Sequence, residues 1–226
     1  MQKASVDKEV ETFKKDDIYV MSLEKNLYSF FKRVIDIVCS LMGIIILSPL
    51  VVILGICVKR DSKGPIFFSH SRLGKNGRTI KIFKFRTMVQ NAEEVLRNLP
   101  EDKKREFEVN FKFDNDPRIT RIGKFLRETS LDELPQLANI LKGELSIVGP
   151  RPIVKKELEK YDKYAGKLLS VKPGLTGYWQ VSGRNDTTYD ERVQLDMYYI
   201  DNRSLWMDFK IMIGTFKAVL NKSGAR

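Results

Sequence analysis

From Val34 to Val58 the chain reads VIDIVCSLMGIIILSPLVVILGICV, apolar except at Asp36, Ser40, Ser48 and Pro49. Such a run reads as a membrane segment. At about 1.5 Å per residue a straight helix of this length reaches roughly 37 Å, enough to cross about 30 Å of hydrocarbon. Pro49 complicates a straight crossing. A proline inside a helix removes a backbone donor and clashes with the carbonyl four residues back. The sequence therefore predicts two half-length arms with a membrane break at Ser48 and Pro49. Lys25, Lys32 and Arg33 precede the run and Lys59, Arg60 and Lys63 follow it, so neither end wins the positive-inside comparison. A segment that enters one leaflet and returns keeps both basic flanks on the cytosolic side, where anionic lipid attracts them. Its freed backbone groups then need Ser48 or neighbouring protein as partners. A cleaved signal peptide fits poorly, because the run begins late and is followed by cations instead of small residues.

The 226 residues suit one large domain, or a domain with an appended element. The net charge of +11 and pI near 9.5 imply an anionic partner: nucleic acid, anionic lipid or a phosphorylated small molecule. Cys39 and Cys57 both lie in the apolar stretch. They read as small hydrophobes in a reducing, cytosol-facing compartment, not as a disulfide framework. The single histidine, His70, stands between Ser69 and Ser71 and reads as a structural or surface residue. A Ser-His-Asp triad or a multi-histidine metal site has little material here.

Three segments follow: a polar N-terminal arm over 1–27, a re-entrant membrane helix over 28–60, and a cytosolic-face domain over 61–226. In that domain Gly64-Pro65 and Gly74 to Gly77 mark turns, and the alternation of Ile80, Ile82, Phe83 and Phe85 predicts a β-hairpin. Residues 91–113 read as a charged helix and Asn115 to Pro117 as a turn. Leu195 to Leu220 mixes Tyr, Trp, Phe, Ile and Met with charges, as helices at a membrane interface do. The expected fold is mainly α with a small β-hairpin element, in a monotopic membrane protein with a re-entrant helix-break-helix anchor and interfacial amphipathic helices.

Between Leu126 and Pro152, LRETSLDELPQLANILKGELSIVGPRP sets the adjacent acids Asp132 and Glu133 among leucines and ends in a Gly-Pro-Arg-Pro turn. Two readings stand. In one, Leu131, Leu134 and Leu137 form the apolar stripe of a helix and the acids face water. In the other the acids form a site: apolar neighbours raise a carboxylate's proton affinity, and Arg127 and Arg151 are candidates to keep it ionised. Val171 to Arg184, VKPGLTGYWQVSGR, reads as a loop with little regular structure. Its glycines would let backbone amides approach a phosphate, with Lys172 and Arg184 supplying charge. An ordinary turn-rich connection is the plainer reading of the same residues.

KFRTM at 84–88, RETSLDELPQL at 127–137, LKGELSIVGPRP at 141–152 and KPGLTGYWQVSGRN at 172–185 occur together and in order. With the Ser48-Pro49 membrane segment they resemble the bacterial sugar transferases, and among these the small monotopic phosphoglycosyl transferases. Those enzymes start polysaccharide and glycoconjugate assembly on a polyprenyl phosphate carrier. The resemblance covers about residues 28 to 224. It implies that Asp132 is the nucleophile that attacks the β-phosphate of a UDP-sugar and that Glu133, with Asp132 sharing, holds Mg2+. Undecaprenyl phosphate then displaces Asp132, giving a polyprenyl diphosphate sugar after release of UMP. Pro150, Arg151 and Pro152 are implied to help hold the nucleotide. By charge and position, Arg127, Arg151 and Arg184 are the cations expected on the diphosphate. Lys84 and Arg86 are expected near the phosphate site, with attraction to anionic head groups as their plainer reading. Galactose or glucose is the favoured sugar, in the bacterial inner (cytoplasmic) membrane with the site facing the cytosol. The partners implied are the UDP-sugar, undecaprenyl phosphate and an anionic phospholipid membrane, and no nucleic acid; homo-oligomer formation is left open.

Two other classes compete. A membrane-tethered basic nucleic-acid-binding module would explain the charge but not the acid pair, and it lacks an arginine-rich recognition helix or an aromatic RNA-binding strand. A glycoside hydrolase needs two carboxyls several ångströms apart across a sugar, which adjacent residues on one helix rarely provide.

Overall fold

A computed structural model describes residues 23–100, 116–182 and 187–220. Most of the expected N-terminal arm, the later part of the expected 91–113 helix, and Arg184 lie outside the described residues. The rest forms two compact units. One takes the described residues through Ile46, Ser69–Phe83 and those from Gln136 onward; the other takes Leu47–Phe68 and Lys84–Pro135.

The first helix, α1 (Leu23–Asp61), contributes to both units and carries Pro49 inside it. It starts before residue 28, and the helix assignment continues through Ser48 and Pro49 instead of breaking into two helices. Proline costs a helix one donor and commonly a bend, not the whole hydrogen-bonded ladder. By length and composition Leu27–Asp61 can cross a membrane, and its most apolar window is only 17% buried. Phe30, Val34, Leu41, Ile45, Ile46, Val52 and Ile53 all stand exposed along it, an apolar surface far larger than water-facing helices carry.

The polar residues of α1 have a different address. Tyr28, Lys32, Asp36 and Ser40 recur every four residues and so share one face. Within the first unit the Tyr28 hydroxyl donates to Asp208 Oδ2 at 2.9 Å, and Lys32 Nζ reaches the same oxygen at 2.7 Å. Asp208 Oδ1 accepts from the Tyr199 hydroxyl at 2.8 Å. Asp36 accepts from Ser146 Oγ at 3.0 Å and from the Ile147 amide at 2.9 Å. Arg33 donates to the Ile140 and Leu141 carbonyls at 2.6 and 2.7 Å. Those carbonyls end α4 (Gln136–Lys142), so an arginine from another helix satisfies groups that a helix cannot pair internally.

β1 (Phe67–Leu73) and β2 (Thr79–Phe85) pair across a 3-10 turn at Lys75–Gly77, as the alternation predicts. Ile80 and Ile82 pack with Ile140 and Leu145 in the first unit. Asn139, fully buried, accepts from the Phe83 amide at 3.0 Å and donates to the Lys81 carbonyl at 2.7 Å. After α2 (Ala92–Arg97) come α3 (Arg121–Glu128) and α4, then a strand not anticipated, β3 (Ser146–Val148). It pairs in parallel with β4 (Gly174–Thr176). The stretch expected to be an irregular loop thus holds β4 and α7 (Tyr178–Ser182). A Cβ on Gly174 would lie 2.1 Å from the Gly149 nitrogen, so the glycines serve backbone-to-backbone packing here.

The core of the first unit gathers Tyr161, Val148, Ile153, Leu168, Met197 and Ile211. It is built from α5 (Lys155–Leu158), the 3-10 turn Glu159–Tyr164, α6 (Ala165–Leu169), α8 (Tyr189–Asn202) and α9 (Leu205–Leu220). Thr188 and Glu191 close the start of α8 with a reciprocal capping box. On α9, Trp206, Phe209, Ile213 and Phe216 are exposed at helical spacing. The second unit has its own core of Leu54, Val58, Phe85 and Leu126. Asp208 accepts three donors while nearly buried. Asp208→Ala should therefore strand Lys32 and cost about 3–5 kcal/mol, read as a lower thermal unfolding midpoint of the detergent-solubilised protein; an unchanged midpoint would remove Asp208 from its anchoring role.

Candidate functional site

The acid pair sits where two elements of the second unit end. α3 is started by Thr120, whose side chain accepts from the Gly123 amide at 3.0 Å. Gly123 has no room for a side chain, since a Cβ there would lie 2.1 Å from the Thr87 carbonyl oxygen. The chain leaves the helix through Ser130, held at φ 57°, a conformation costly for a residue with a Cβ. The 3-10 turn Leu131–Glu133 follows directly. Leu131 and Leu134 pack on the Leu54–Val58–Phe85–Leu126 cluster. The acids therefore ride a tight turn, and the amphipathic-helix reading gives way. Asp132 is only 7% exposed.

β2 supplies the cation. Phe85 enters the core while its neighbour Lys84 reaches both acids, with Nζ 3.1 Å from Asp132 Oδ2 and 2.6 Å from Glu133 Oε1. Arg127 donates from Nε to Thr87 Oγ1 at 2.9 Å, and its charge acts on Asp132 and Asp116. Asp116 in turn grips Arg118 at 2.9 and 2.7 Å. Burial pushes the Asp132 carboxyl above its ordinary range; Lys84 and Arg127 pull it back, and Glu133 adds to the rise. The protonated form is thus favoured by the fold. The associated stability is present at low pH and is lost as pH rises through the folded value, so an ionised Asp132 at neutral pH is held at a cost that Lys84 and Arg127 reduce.

Arg86 is committed elsewhere. It is buried, with Nε on the Pro65 carbonyl at 2.6 Å and Nη2 on the Ser62 and Val58 carbonyls at 2.9 and 3.2 Å. Nη1 bonds Ser62 Oγ and the Met88 carbonyl. All its donors are taken, so it closes the end of α1 and has none left for a phosphate. For a metal, no group of three or more potential ligands occurs among the described residues. The two carboxylates alone suit a magnesium ion, which commonly takes one or two protein carboxylates and completes its shell with water and substrate phosphate.

Arg151, Pro150 and Pro152 belong to the first unit, where the parallel ladder of β3 and β4 fixes them. The Pro150 carbonyl accepts from the Gly174 amide at 2.8 Å, and the Gly149 amide donates to the Thr176 carbonyl at 2.8 Å. Pro150 is buried, whereas Arg151 and Pro152 keep partial exposure. Lys172 is partly buried near Arg33, and burial, reinforced by that like charge, lowers its ammonium. Thr87 and Ser130 were not singled out from sequence; the KFRTM stretch ends one residue past the first, and a serine at positive φ has no sequence signature.

Residues 27–222 match the family model described as bacterial sugar transferase. The chain is 51% identical over 207 residues to the undecaprenyl-phosphate galactose phosphotransferase of Salmonella typhimurium, covering 90% of this chain and 43% of that protein. It is 40% identical over 204 residues to the UDP-glucose:undecaprenyl-phosphate glucose-1-phosphate transferase of Klebsiella pneumoniae, 85% of this chain and 41% of that one. With the exopolysaccharide production protein ExoY of Sinorhizobium fredii it shares 46% identity over 197 residues, 86% and 87% of the two chains. It thus spans less than half of the first two relatives and most of the third.

Replacing Lys84 by Met should move the Asp132 titration higher. The carboxyl 13C resonance that disappears in Asp132→Asn reports it, and an unmoved or lowered titration would remove Lys84 from that role.

Proposed function

The chain belongs to the bacterial sugar transferase family, and we propose that it moves a sugar-1-phosphate from a UDP-sugar, galactose or glucose favoured, to undecaprenyl phosphate. The observation that carries the reading is the nearly buried Asp132, presented on a strained turn with one ammonium bridging it to Glu133. A carboxylate without apolar cover would be a solvated charge. Here burial strips its water and Lys84 offsets part of the cost of ionising it, which is how a weak nucleophile is made ready.

In the first half-reaction an Asp132 oxygen attacks the β-phosphorus of the UDP-sugar. The bond from that phosphorus to the bridging oxygen breaks, and UMP leaves with the electron pair. Asp132 then carries a phosphosugar as an acyl phosphate. In the second, a phosphate oxygen of undecaprenyl phosphate attacks the same phosphorus and the bond to Asp132 breaks, regenerating the carboxylate. Lys84 and Arg127 lower the repulsion between carboxylate and diphosphate in both steps. Glu133, with Asp132 sharing, would hold Mg2+, whose chemistry is to neutralise charge on the diphosphate oxygens. Arg151, between Pro150 and Pro152, and Arg184 are assigned to the nucleotide.

The carrier's phosphate lies at head-group height and the donor is cytosolic, so the site belongs at the cytosolic face of the inner membrane. Support for a re-entrant anchor comes from Pro49 in mid-helix, basic residues at both ends of the run, and the exposed aromatic face of α9. The product is the lipid-linked sugar that opens exopolysaccharide or capsule assembly.

Asp132→Asn should lower UMP release by about 10^4-fold or more while the protein stays folded and membrane-bound; near-wild-type release would sink the nucleophile assignment. For topology, single cysteines at positions 27 and 60, in a chain with Cys39 and Cys57 replaced, should both be labelled from the cytosolic side. Labelling from opposite sides would make α1 a span.

A further inference from the structure

Within the first unit a second gathering of charge lies around Arg192 of α8. Its guanidinium stands 5.0 Å from the Trp179 ring and 5.1 Å from the Tyr189 ring. Those faces hold the group without using its N–H donors. Among the described residues Nε and Nη2, buried, have no hydrogen-bond partner, and neither has the buried indole Nε1 of Trp179. Nε and Nη2 are the two donors of one guanidinium edge, the fork that grips a pair of oxygens. One helical turn on, Asp196 is fully buried; it takes the Tyr161 hydroxyl on Oδ2 at 2.8 Å and leaves Oδ1 unpartnered.

Arginines outnumber acids around it, with Arg72, Arg151 and Arg192 set against Glu157 and Asp196. Arg72 lies within electrostatic reach of Arg151 and Arg192, with Glu157 as its counter-charge; burial pushes the Arg72 guanidinium down, Glu157 opposes this and the two arginines add to it. Buried donors left unpaired are rare in native proteins and call for a partner. The open fork of Arg192 and an indole N–H, with two further guanidiniums in electrostatic reach, are the complement of a tetrahedral dianion. The vacant oxygen of Asp196 suits a hydroxyl beside it.

We infer that Arg192, Arg72, Arg151 and the Trp179 indole form a binding pocket for the phosphate group of a hydroxylated phosphate ester, the nucleotide being its soluble source. The pocket shares Arg151 with the function proposed above and rests on that reading only for the identity of the ester. Arg192 supplies the fork, Trp179 one further donor, and Asp196 with Tyr161 the hydroxyl contact.

The test is calorimetric titration of UMP and of inorganic phosphate into the full chain in detergent micelles. Arg192→Met should weaken UMP by about tenfold or more, and Trp179→Phe, which keeps a ring but lacks the N–H, should weaken it less. Arg192→Lys, which keeps the charge without the fork, should resemble Arg192→Met and stands in for it if that variant unfolds. UMP titration reads this pocket without turnover, whereas the nucleophile assignment is read by UMP release from Asp132→Asn, so failure of the one and failure of the other give different results. Unchanged UMP and phosphate affinity in folded Arg192 variants would overturn the pocket. A loss confined to binding of phosphatidylglycerol vesicles would overturn the soluble source and place the phosphate on a lipid.

Discussion

A helix that is apolar around most of its girth has little of its own to fix its rotation, and α1 is given that fix by three residues at four-residue spacing. Tyr28, Lys32, Asp36 and Ser40 line one face, and three of them end in hydrogen bonds to Asp208, Ser146 and Ile147. Because a polar group left alone in hydrocarbon is so costly, this stripe can face only one way. The remaining circumference is thereby committed outward. Arg33 adds to the same clamp by closing the end of α4, and Asp208 belongs to α9, whose opposite aromatic residues are exposed. One polar contact set thus orients two apolar surfaces.

The second unit meets a different constraint, a carboxylate held largely out of water beside a second carboxylate. A solvated carboxylate keeps its water; a wholly buried one is neutral. Asp132 sits between, under Leu131 and Leu134 but against a lysine from a neighbouring strand. The turn that achieves this passes through Ser130 in the left-handed region. Strain of this kind persists where the surroundings hold it in place, here α3 on one side and the leucine cluster on the other.

The hairpin and the membrane run were legible because each repeats a simple period over many residues: alternation at Ile80 and Ile82, unbroken apolarity from Val34. The acid pair was visible as chemistry, but its conformation was not, since three leucines at helical spacing describe an amphipathic helix as well as a packed 3-10 turn. The parallel ladder was hidden for a related reason. Three-residue strands rich in glycine carry no alternation, and Gly149 and Gly174 look like loop residues until their backbones are seen in contact. Arg86 could not be told from Lys84 in KFRTM, although one closes a helix end and the other meets the acids. The role of α1's polar stripe was likewise absent from the reading, because Asp36 registers as a blemish in an apolar run until its partner 110 residues away is known.

That separation also bears on how the molecule is assembled. Tyr28 and Lys32 meet Asp208 across 180 and 176 residues, so during synthesis α1 emerges long before any of its partners exist. Contacts so distant in sequence form late and slowly. The growing chain must therefore carry a half-satisfied apolar helix across the 176 residues that separate Lys32 from Asp208. Closure of the Asp208 hub waits until α9 has been made.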